Sequence, residues 1–384
     1  MAYDLNEEQT IFARSVRSFA EKHLSDGALK RAHDPAFPFD IAKLMSENGL
    51  LGITLPEDDN GQGGSPFDAI IAIDEVAQVC PRSADVIQAG NFGPIRTFSE
   101  FANEDQKQRF LPGLLAGTSV ISLCMSEPEA GSAATELKTQ AEHVGGDIVI
   151  NGTKVFSTHS ADASVYLVYV RFGPGIKGIG AVLVERDAPG LQVGRPSAFM
   201  NGEHWCQLYF ENCRVSEKNL LLGPGGFKNL ISGFNVERLG NSARSLALGK
   251  YAFNAAREHA LVRRQFGREL CDFQGIQWKF ADMATRLESA ELLLQRAASS
   301  KGADGLPDGY STAMAKMACN EAGHLVSNEA LQVMGATGFS QEALVEYCVR
   351  RTRGWMIAGG SIEMLKNRIA ENVFDRRFSQ RGDK

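Results

Sequence analysis

The chain has 384 residues, 43% of them hydrophobic and 22% charged, an ordinary globular balance for about two to three domains. Its formal net charge of −6 disfavours a general attraction to nucleic acid or to an anionic membrane. Its longest apolar runs, such as Ala69 to Ile73, fall far short of the roughly 18 residues that cross a bilayer.

The opening stretch, Met1 to Gln9, has no basic flank or apolar core, so a cytoplasmic location without a leader is expected. Asn6 with Gln9 three positions on has the form of a helix N-cap with its capping-box partner, and Ile11, Val16 and Phe19 continue an apolar face. Helical patterns recur over Phe37–Asn48 and Pro66–Val79, separated by a Gly-rich turn at Asn60–Gly64. Residues 1–120 therefore read as a helical domain.

After Gly117 the pattern turns β-branched and alternating: Asp147–Ile150, Lys154–Ser157, Val165–Phe172, Gly180–Glu185 and Gln207–Phe210. Asn151-Gly152, between the first two, reads as a hairpin turn, because both residues tolerate positive φ. Residues 121–228 read as a β domain. From residue 229 to 384 the period is helical again. Phe273, Ile276, Phe280, Met283, Leu287, Ala290 and Leu294 form one stripe suited to bundle packing. Gly302–Gly309 reads as an inter-helix loop. The fold class expected from this order is α+β.

The seven cysteines, with no Cys-x-x-Cys spacing, and the scattered histidines suggest buried reduced thiols and no metal site. An α–β–α order alone leaves function open, so the sites have to decide it. Cys124-Met125-Ser126-Glu127-Pro128-Glu129-Ala130-Gly131-Ser132 is a turn of small residues whose backbone N–H groups can approach a ligand. About 20 residues later come Asn151-Gly152-Thr153-Lys154 and Phe156-Ser157-Thr158. Further on are Arg263-Arg264-Gln265-Phe266-Gly267 with Gln274, and Gln332-Val333-Met334-Gly335-Ala336-Thr337-Gly338-Phe339.

These four segments, in this order, resemble the acyl-CoA dehydrogenase family over about residues 5–378. The resemblance implies a helical N-terminal domain, a central β-barrel-like domain and a C-terminal four-helix bundle. It also implies an FAD cofactor and dehydrogenation of an acyl thioester to its trans-2-enoyl form. Met125, Ser126, Phe156 and Thr158 would then face the flavin ring, with Thr158 at N5. Ser132 would lie by the pyrophosphate or the pantetheine arm of the substrate. Arg263, Phe266, Gln274, Gln332 and Gly335 would hold the adenosine diphosphate end of FAD from a neighbouring subunit, as arginine's planar fork suits a pyrophosphate. Ala336 replaces a family glycine, Ala133 a family aspartate, and Phe156 the commoner tryptophan.

The family's base is a glutamate, often near the C-terminus. The matching stretch here, Ile357-Ala358-Gly359-Gly360-Ser361-Ile362-Glu363, has Gly359 at that position, and Gly359 keeps only the backbone N–H that binds the thioester carbonyl. Other members carry the base on the first long helix of the C-terminal domain, where this chain has Asn235-Val236-Glu237-Arg238. Glu237 is therefore the expected base for the α proton, flavin N5 taking the β hydride, with Asn235 and Arg238 beside the substrate. Ser361 and Glu363 are placed with the cofactor, and Glu363 ranks below Glu237 as a base. Members with the base on that helix often take branched, long or cyclic acyl groups, so a branched, cyclic or bulky acyl group is expected here. Over 26 residues, a continuous helix separates Glu237 from Arg263 by about 39 Å, so the two serve different FAD molecules in an oligomer.

The partners expected are an acyl-CoA or acyl-carrier thioester, further copies in a homotetramer and an electron-transfer flavoprotein, with neither nucleic acid nor membrane. An oxidase or monooxygenase of related fold is an alternative. So is a non-catalytic flavoprotein binding nucleic acid or a partner through Arg350, Arg351, Arg353, Arg376 and Arg377.

Overall fold

The structure, a computed structural model, describes residues 5–303 and 305–378. In chain order, the N-terminal helices are α1 (Glu7–Leu24), α2 (Ala28–Ala32), α3 (Phe39–Glu47), α4 (Pro66–Ala77), α5 (Ala84–Asn91), α6 (Pro94–Phe101) and α7 (Glu104–Leu115). The strands that follow are β1 (Ile121–Cys124), β2 (Gln140–Val144), β3 (Asp147–Lys154), β4 (Val165–Arg171), β5 (Ile179–Glu185), β6 (Leu191–Val193), β7 (Ser197–Ala198), β8 (His204–Trp205), β9 (Leu208–Ser216) and β10 (Leu220–Leu222). Then come α8 (Phe227–Val262), a hairpin of β11 (Arg264–Gln265) and β12 (Arg268–Glu269), α9 (Gln274–Ala298), α10 (Gly309–Met334), α11 (Ala336–Phe339), α12 (Leu344–Trp355) and α13 (Ile362–Val373). The α+β order is the one expected, and α1 carries the predicted capping box, with the Asn6 side chain accepting from Gln9 N–H and the Gln9 side chain reaching back.

The chain forms two compact units: His33–Ala72 with Ser83–Glu237, and residues up to Ala32 with Ile73–Arg82 and the chain from Arg238 onward. In the first, the main sheet runs β10-β5-β4-β2-β3-β9-β6, with β1 parallel to β4. β4 and β5 are near-continuous apolar runs, Val165–Val170 and Ile179–Val184, and are buried on both faces. One face sets Leu167, Tyr169, Ala181 and Leu183 against Ile95 and Phe98 of α6, Leu111 and Leu114 of α7, and Leu230 of α8. This core fixes α6 and the first turns of α8, and so the side chains they present.

The expected hairpin at Asn151-Gly152 is not there. β3 runs straight through it, and the turn lies at Gly145-Gly146, between β2 and β3, with φ of 62° and 89°. Two consecutive positive φ values belong to the primed turn that suits a two-residue hairpin. Gly152 is instead a close-approach glycine, since a Cβ there would stand 2.6 Å from Thr139 Oγ1, and the pairing with β9 slips one position beside it.

In the second unit the helices gather around α10, which touches α9, α12 and α13. Gly323 lets α10 cross α8 closely, because a Cβ on it would fall 2.2 Å from the Ser245 carbonyl oxygen. The α9 stripe is only partly core. Met283, Leu287, Ala290 and Leu294 are buried, whereas Phe273, Ile276 and Phe280 stay half exposed. The predicted loop Gly302–Gly309 lies between α9 and α10, with Asp304 outside the described residues.

Candidate active site

The first unit joins the two motifs that follow α7. Met125 and Ser126 leave β1 into a tight turn closed by paired Glu127 and Ala130 backbone hydrogen bonds of 3.0 and 3.1 Å. Val155 N–H then donates to the Ser126 carbonyl at 3.0 Å, tying this turn to the end of β3. Beneath it lies a buried ion pair: Lys154, 0% exposed, sets its Nζ 2.8 Å from Glu127 Oε1 and 3.1 Å from the Met125 carbonyl. Burial alone would raise the Glu127 pKa. Burial is the largest single influence, but the Lys154 charge and the hydrogen bonds from Lys154, Thr139 and Lys138 together outweigh it and hold this carboxyl below its ordinary value. Sequence alone assigned no role to this brace.

Phe156 follows with φ of 57°, a left-handed conformation that costs a β-carbon-bearing residue roughly 1–2 kcal/mol. That geometry turns the ring outward. Phe156 is 59% exposed, with Trp205 behind it at 4.5 Å between centroids and Phe199 at 6.5 Å. Thr158 is exposed, and its carbonyl is pinned by Ser122 Oγ at 2.7 Å. Ser132 is exposed in the loop after the turn. An open aromatic wall with an exposed hydroxyl two residues on suits a flat heteroaromatic ring needing a few directed donors.

Glu237 belongs to the same unit. Leu230, Gly233 and Glu237 share a face of α8, at spacings of three and four. Gly233 makes that face approach α6, because a Cβ on it would stand 2.7 Å from Thr97 Oγ1. At the next turn, Glu237 Oε1 accepts from Gln88 Nε2 at 2.9 Å. Its Oε2 packs on Gly93, where an added Cβ would stand 2.3 Å away and φ is 67°. Gln88 and Gly93 carry no local signal for this, since each lies far from Glu237 in sequence. Asn235 is half buried on the preceding turn of α8.

In the second unit, Gly359 has φ of 72° in the turn between α12 and α13. A Cβ on it would meet Lys316 Cε at 3.0 Å and Asn241 Nδ2 at 3.4 Å. The turn is held by Arg238 Nε on the Gly359 carbonyl at 3.1 Å, and by Lys316 Nζ on the Trp355 and Gly360 carbonyls at 2.9 and 3.2 Å. Ser361 caps α13, accepting from Met364 N–H at 3.5 Å. Glu363, exposed in that first turn, is held below its ordinary pKa by its own backbone N–H and then by the Ser361 side chain.

Arg263, exposed, follows the last residue of α8, and Phe266-Gly267 form the tip of the β11–β12 hairpin with φ of 49° and 83°. Phe266 is 94% exposed there, and Gln274 opens α9 nearby in the chain. Gln332 is exposed in the last turn of α10, whose C-cap is Gly335 with φ of 60°. Ala336 starts α11, and the tight contact falls on Gly338, where a Cβ would stand 2.7 Å from Met334 Cβ.

The arginine cluster on α12 is not a basic patch. Arg350 chelates Glu346 at 2.6 and 2.8 Å, and Arg351, 8% exposed, lies over the Trp355 ring. Arg353, Arg376 and Arg377 are exposed. Among the described residues no group of His, Cys, Asp and Glu is placed to hold a metal ion, and no helix is long and apolar enough to cross a membrane. All seven cysteines are free.

The family models described as acyl-CoA dehydrogenase N-terminal, middle and C-terminal domains match residues 6–118, 122–213 and 224–374. The 3-sulfinopropanoyl-CoA desulfinase of Paraburkholderia xenovorans is 32% identical over 387 residues, covering 99% of each chain. The acyl-CoA dehydrogenase of Bacillus subtilis is 32% identical, covering 94% of this chain and 97% of its own. Among solved structures, butyryl-CoA dehydrogenase from Megasphaera elsdenii superposes with a TM-score of 0.90 at 28% identity, over 97% of this chain and 100% of its own.

Proposed function

This chain belongs to the acyl-CoA dehydrogenase family of FAD-dependent oxidoreductases, and we propose that it oxidises an acyl-CoA thioester to the trans-2-enoyl thioester with Glu237 as the base. The observation that carries this is the Glu237 carboxylate, oriented by Gln88 at 2.9 Å, in a chain whose other family base position is a glycine. Glu237 takes the α proton, and the Gly359 N–H hydrogen-bonds the thioester carbonyl as negative charge gathers there. Ser132, Asn235 and Arg238 contact the substrate.

The aromatic wall of Phe156, Trp205 and Phe199 fits the cofactor's ring, and Met125, Ser126 and Thr158 supply the polar contacts at its edge. When bound, the flavin supplies the acceptor for the β hydrogen and its electron pair. Ser361 and Glu363 also belong to the cofactor's surroundings. Arg263, Phe266, Gln274, Gln332 and Gly335 serve the adenosine diphosphate end in a neighbouring subunit of a homotetramer, a reading supported by the solvent-facing Phe266. An electron-transfer flavoprotein is the electron acceptor in this reading, and the cytoplasm the location. The same reading divides the chain into domains over 1–120, 121–228 and 229–384.

We favour branched, cyclic or bulky acyl groups carried on CoA, the preference that the resemblance to members with the base on this helix implies. The desulfinase relative supports a second reading, release of sulfite from a sulfinate-bearing acyl-CoA. The deciding experiment is anaerobic flavin bleaching of wild type and Glu237→Gln, with FAD occupancy matched, against straight, branched and cyclic acyl-CoA esters. Bleaching by one class, lost about 10²- to 10⁴-fold in the variant, is the expected result. Equal bleaching in the variant removes Glu237 as the base. Sulfite release from 3-sulfinopropanoyl-CoA, with no ester bleaching the wild type, selects the second reading.

A further inference from the structure

The second unit holds a buried ammonium to which the chemistry above gives no role. Lys316 is 0% exposed on α10 and sets its Nζ 2.9 Å from the Trp355 carbonyl and 3.2 Å from the Gly360 carbonyl. We infer that Lys316 is the positioning residue for the Gly359 N–H, fixing this donor where the thioester carbonyl will meet it. This rests on the Gly359 N–H being that donor.

Lys316 and Asn320 stand one turn apart on α10 and so share a face. Asn320, also 0% exposed, donates its Nδ2 to the Trp355 carbonyl at 2.6 Å. That bond by itself satisfies the carbonyl at the end of α12, as a buried helix terminus requires. An ammonium is far harder to desolvate than an amide, so a lysine is a poor choice if capping α12 is the whole task. What Lys316 reaches beyond the helix end is the Gly360 carbonyl, on the other side of Gly359. Its stem touches the turn as well, since a Cβ at 359 would stand 3.0 Å from Lys316 Cε. One side chain therefore grips the backbone on both sides of Gly359.

The grip matters because Gly359 and Gly360 are consecutive glycines with φ of 72° and 94°, a pair with wide conformational freedom. Their neighbours are fixed: Ile357 and Ala358 N–H donate to the Gly354 carbonyl at 3.1 and 2.9 Å, and Ile362 N–H donates to the Met356 carbonyl at 3.2 Å. Ala313, also on α10, packs on Ile362 and Leu365 and so seats the start of α13. Arg238 Nε takes the Gly359 carbonyl at 3.1 Å. Among the described residues no backbone carbonyl accepts from the Gly359 N–H. A donor held in place before negative charge gathers needs no rearrangement as the charge forms.

The test compares FAD-loaded wild type, Lys316→Met and Cys319→Ala. The last is a control that trims a buried α10 side chain facing α9, where its Sγ lies 3.4 Å from the Ala290 carbonyl. The probe is 3-thiabutanoyl-CoA with ¹³C at the thioester carbonyl. Sulfur at its position 3 leaves no β hydrogen to transfer, so binding and α-proton removal are read without turnover. In wild type the isotope-edited infrared band of the bound carbonyl should lie below that of the free ester, and the α hydrogens should exchange with deuterated water. In Lys316→Met most of the band shift should be lost, and exchange should slow about 10- to 100-fold, as for a displaced donor. The dissociation constant should change less, by under about threefold, because the bond strengthens as charge gathers. Lys316→Gln, a shorter neutral amide, replaces the Met variant if the latter does not fold, and the same directions are expected.

A melting temperature lowered in Lys316→Met as in Cys319→Ala, with band and exchange as in wild type, overturns the inference and leaves the Gly359 donor standing. A wild-type band at the free-ester position removes the donor and the inference together. The band does not depend on which residue is the base, so the outcome is independent of Glu237.

Discussion

Glu237 and Gly359 stand at the two positions that the proposed reading gives to the base, and the backbone treats them oppositely. Glu237 is on a regular helix, and its surroundings have been emptied for it: Gly93 has no side chain where Oε2 lies, and Gln88 turns a donor toward Oε1. Gly359 sits in a turn with φ of 72°, with Lys316 and Asn241 drawn in around the place where a Cβ would be. Lys316 and Asn241 lie close around Gly359, and its positive φ makes glycine a conformational requirement there.

The sharpest way to break this contrast is to exchange the bases. The double variant Glu237→Gly with Gly359→Glu retains one glutamate, and in a site indifferent to which position carries it, activity would return. The expected outcome is bleaching about 10²- to 10⁴-fold below wild type, no better than Glu237→Gln. A left-handed non-glycine residue costs roughly 1–2 kcal/mol, and the new Cβ would press on Lys316 Cε at 3.0 Å. Recovery of activity in the double variant, measured by the same bleaching assay, would show that the turn opens readily.

The legible parts of this molecule were those whose cause is local. Asn6 and Gln9 announced the start of α1 because a capping box is a four-residue device, and β4 read as a strand because its β-branched run is a local signal. The misplaced hairpin has a non-local cause, since Gly152 is required by Thr139, thirteen positions earlier in the chain, and not by a turn. The candidate base was legible from a motif, but its environment was not. Gln88 meets Glu237 across 149 residues, and no periodicity or spacing connects them. The α9 stripe shows the remaining limit: apolar spacing marked Phe273, Ile276 and Phe280 as contact residues without telling whether the contact lies within this chain.

A different carboxylate, the buried Glu127, sharpens the comparison because its partner Lys154 is fully buried with it. Replacing Lys154 by Met strands Glu127 and should cost about 3–5 kcal/mol at neutral pH, measured by denaturant unfolding. The pH dependence should also change sign. In wild type the folded Glu127 pKa lies below its ordinary 4.5, so its contribution is complete above 4.5 and is lost as pH falls through the lower folded value. In Lys154→Met, burial without the partner raises the folded value above 4.5. The penalty is then present at neutral pH and is relieved as acid protonates the carboxyl. The difference between the two unfolding curves over that window therefore narrows with falling pH. A constant difference would mean that Lys154 acts through packing alone.

Glu363 should give the smallest effect, and it tests whether a carboxylate close to Gly359 in sequence has taken over the lost role. It is exposed at the start of α13, where its own backbone N–H and the Ser361 side chain keep it ionised. Those bonds are the ordinary business of a helix N-terminus, where an acidic residue complements the exposed N–H groups. Glu363→Gln retains the shape and the accepting oxygen and removes only the charge. The bleaching rate should change by less than about threefold, in keeping with an exposed substitution remote from a core or an ion-pair network. FAD occupancy has to be matched in this comparison, because Glu363 belongs to the proposed surroundings of the cofactor. A loss comparable to that of Glu237→Gln would move proton abstraction to α13, and the arrangement of Gln88 and Gly93 around Glu237 would then need a purely structural cause.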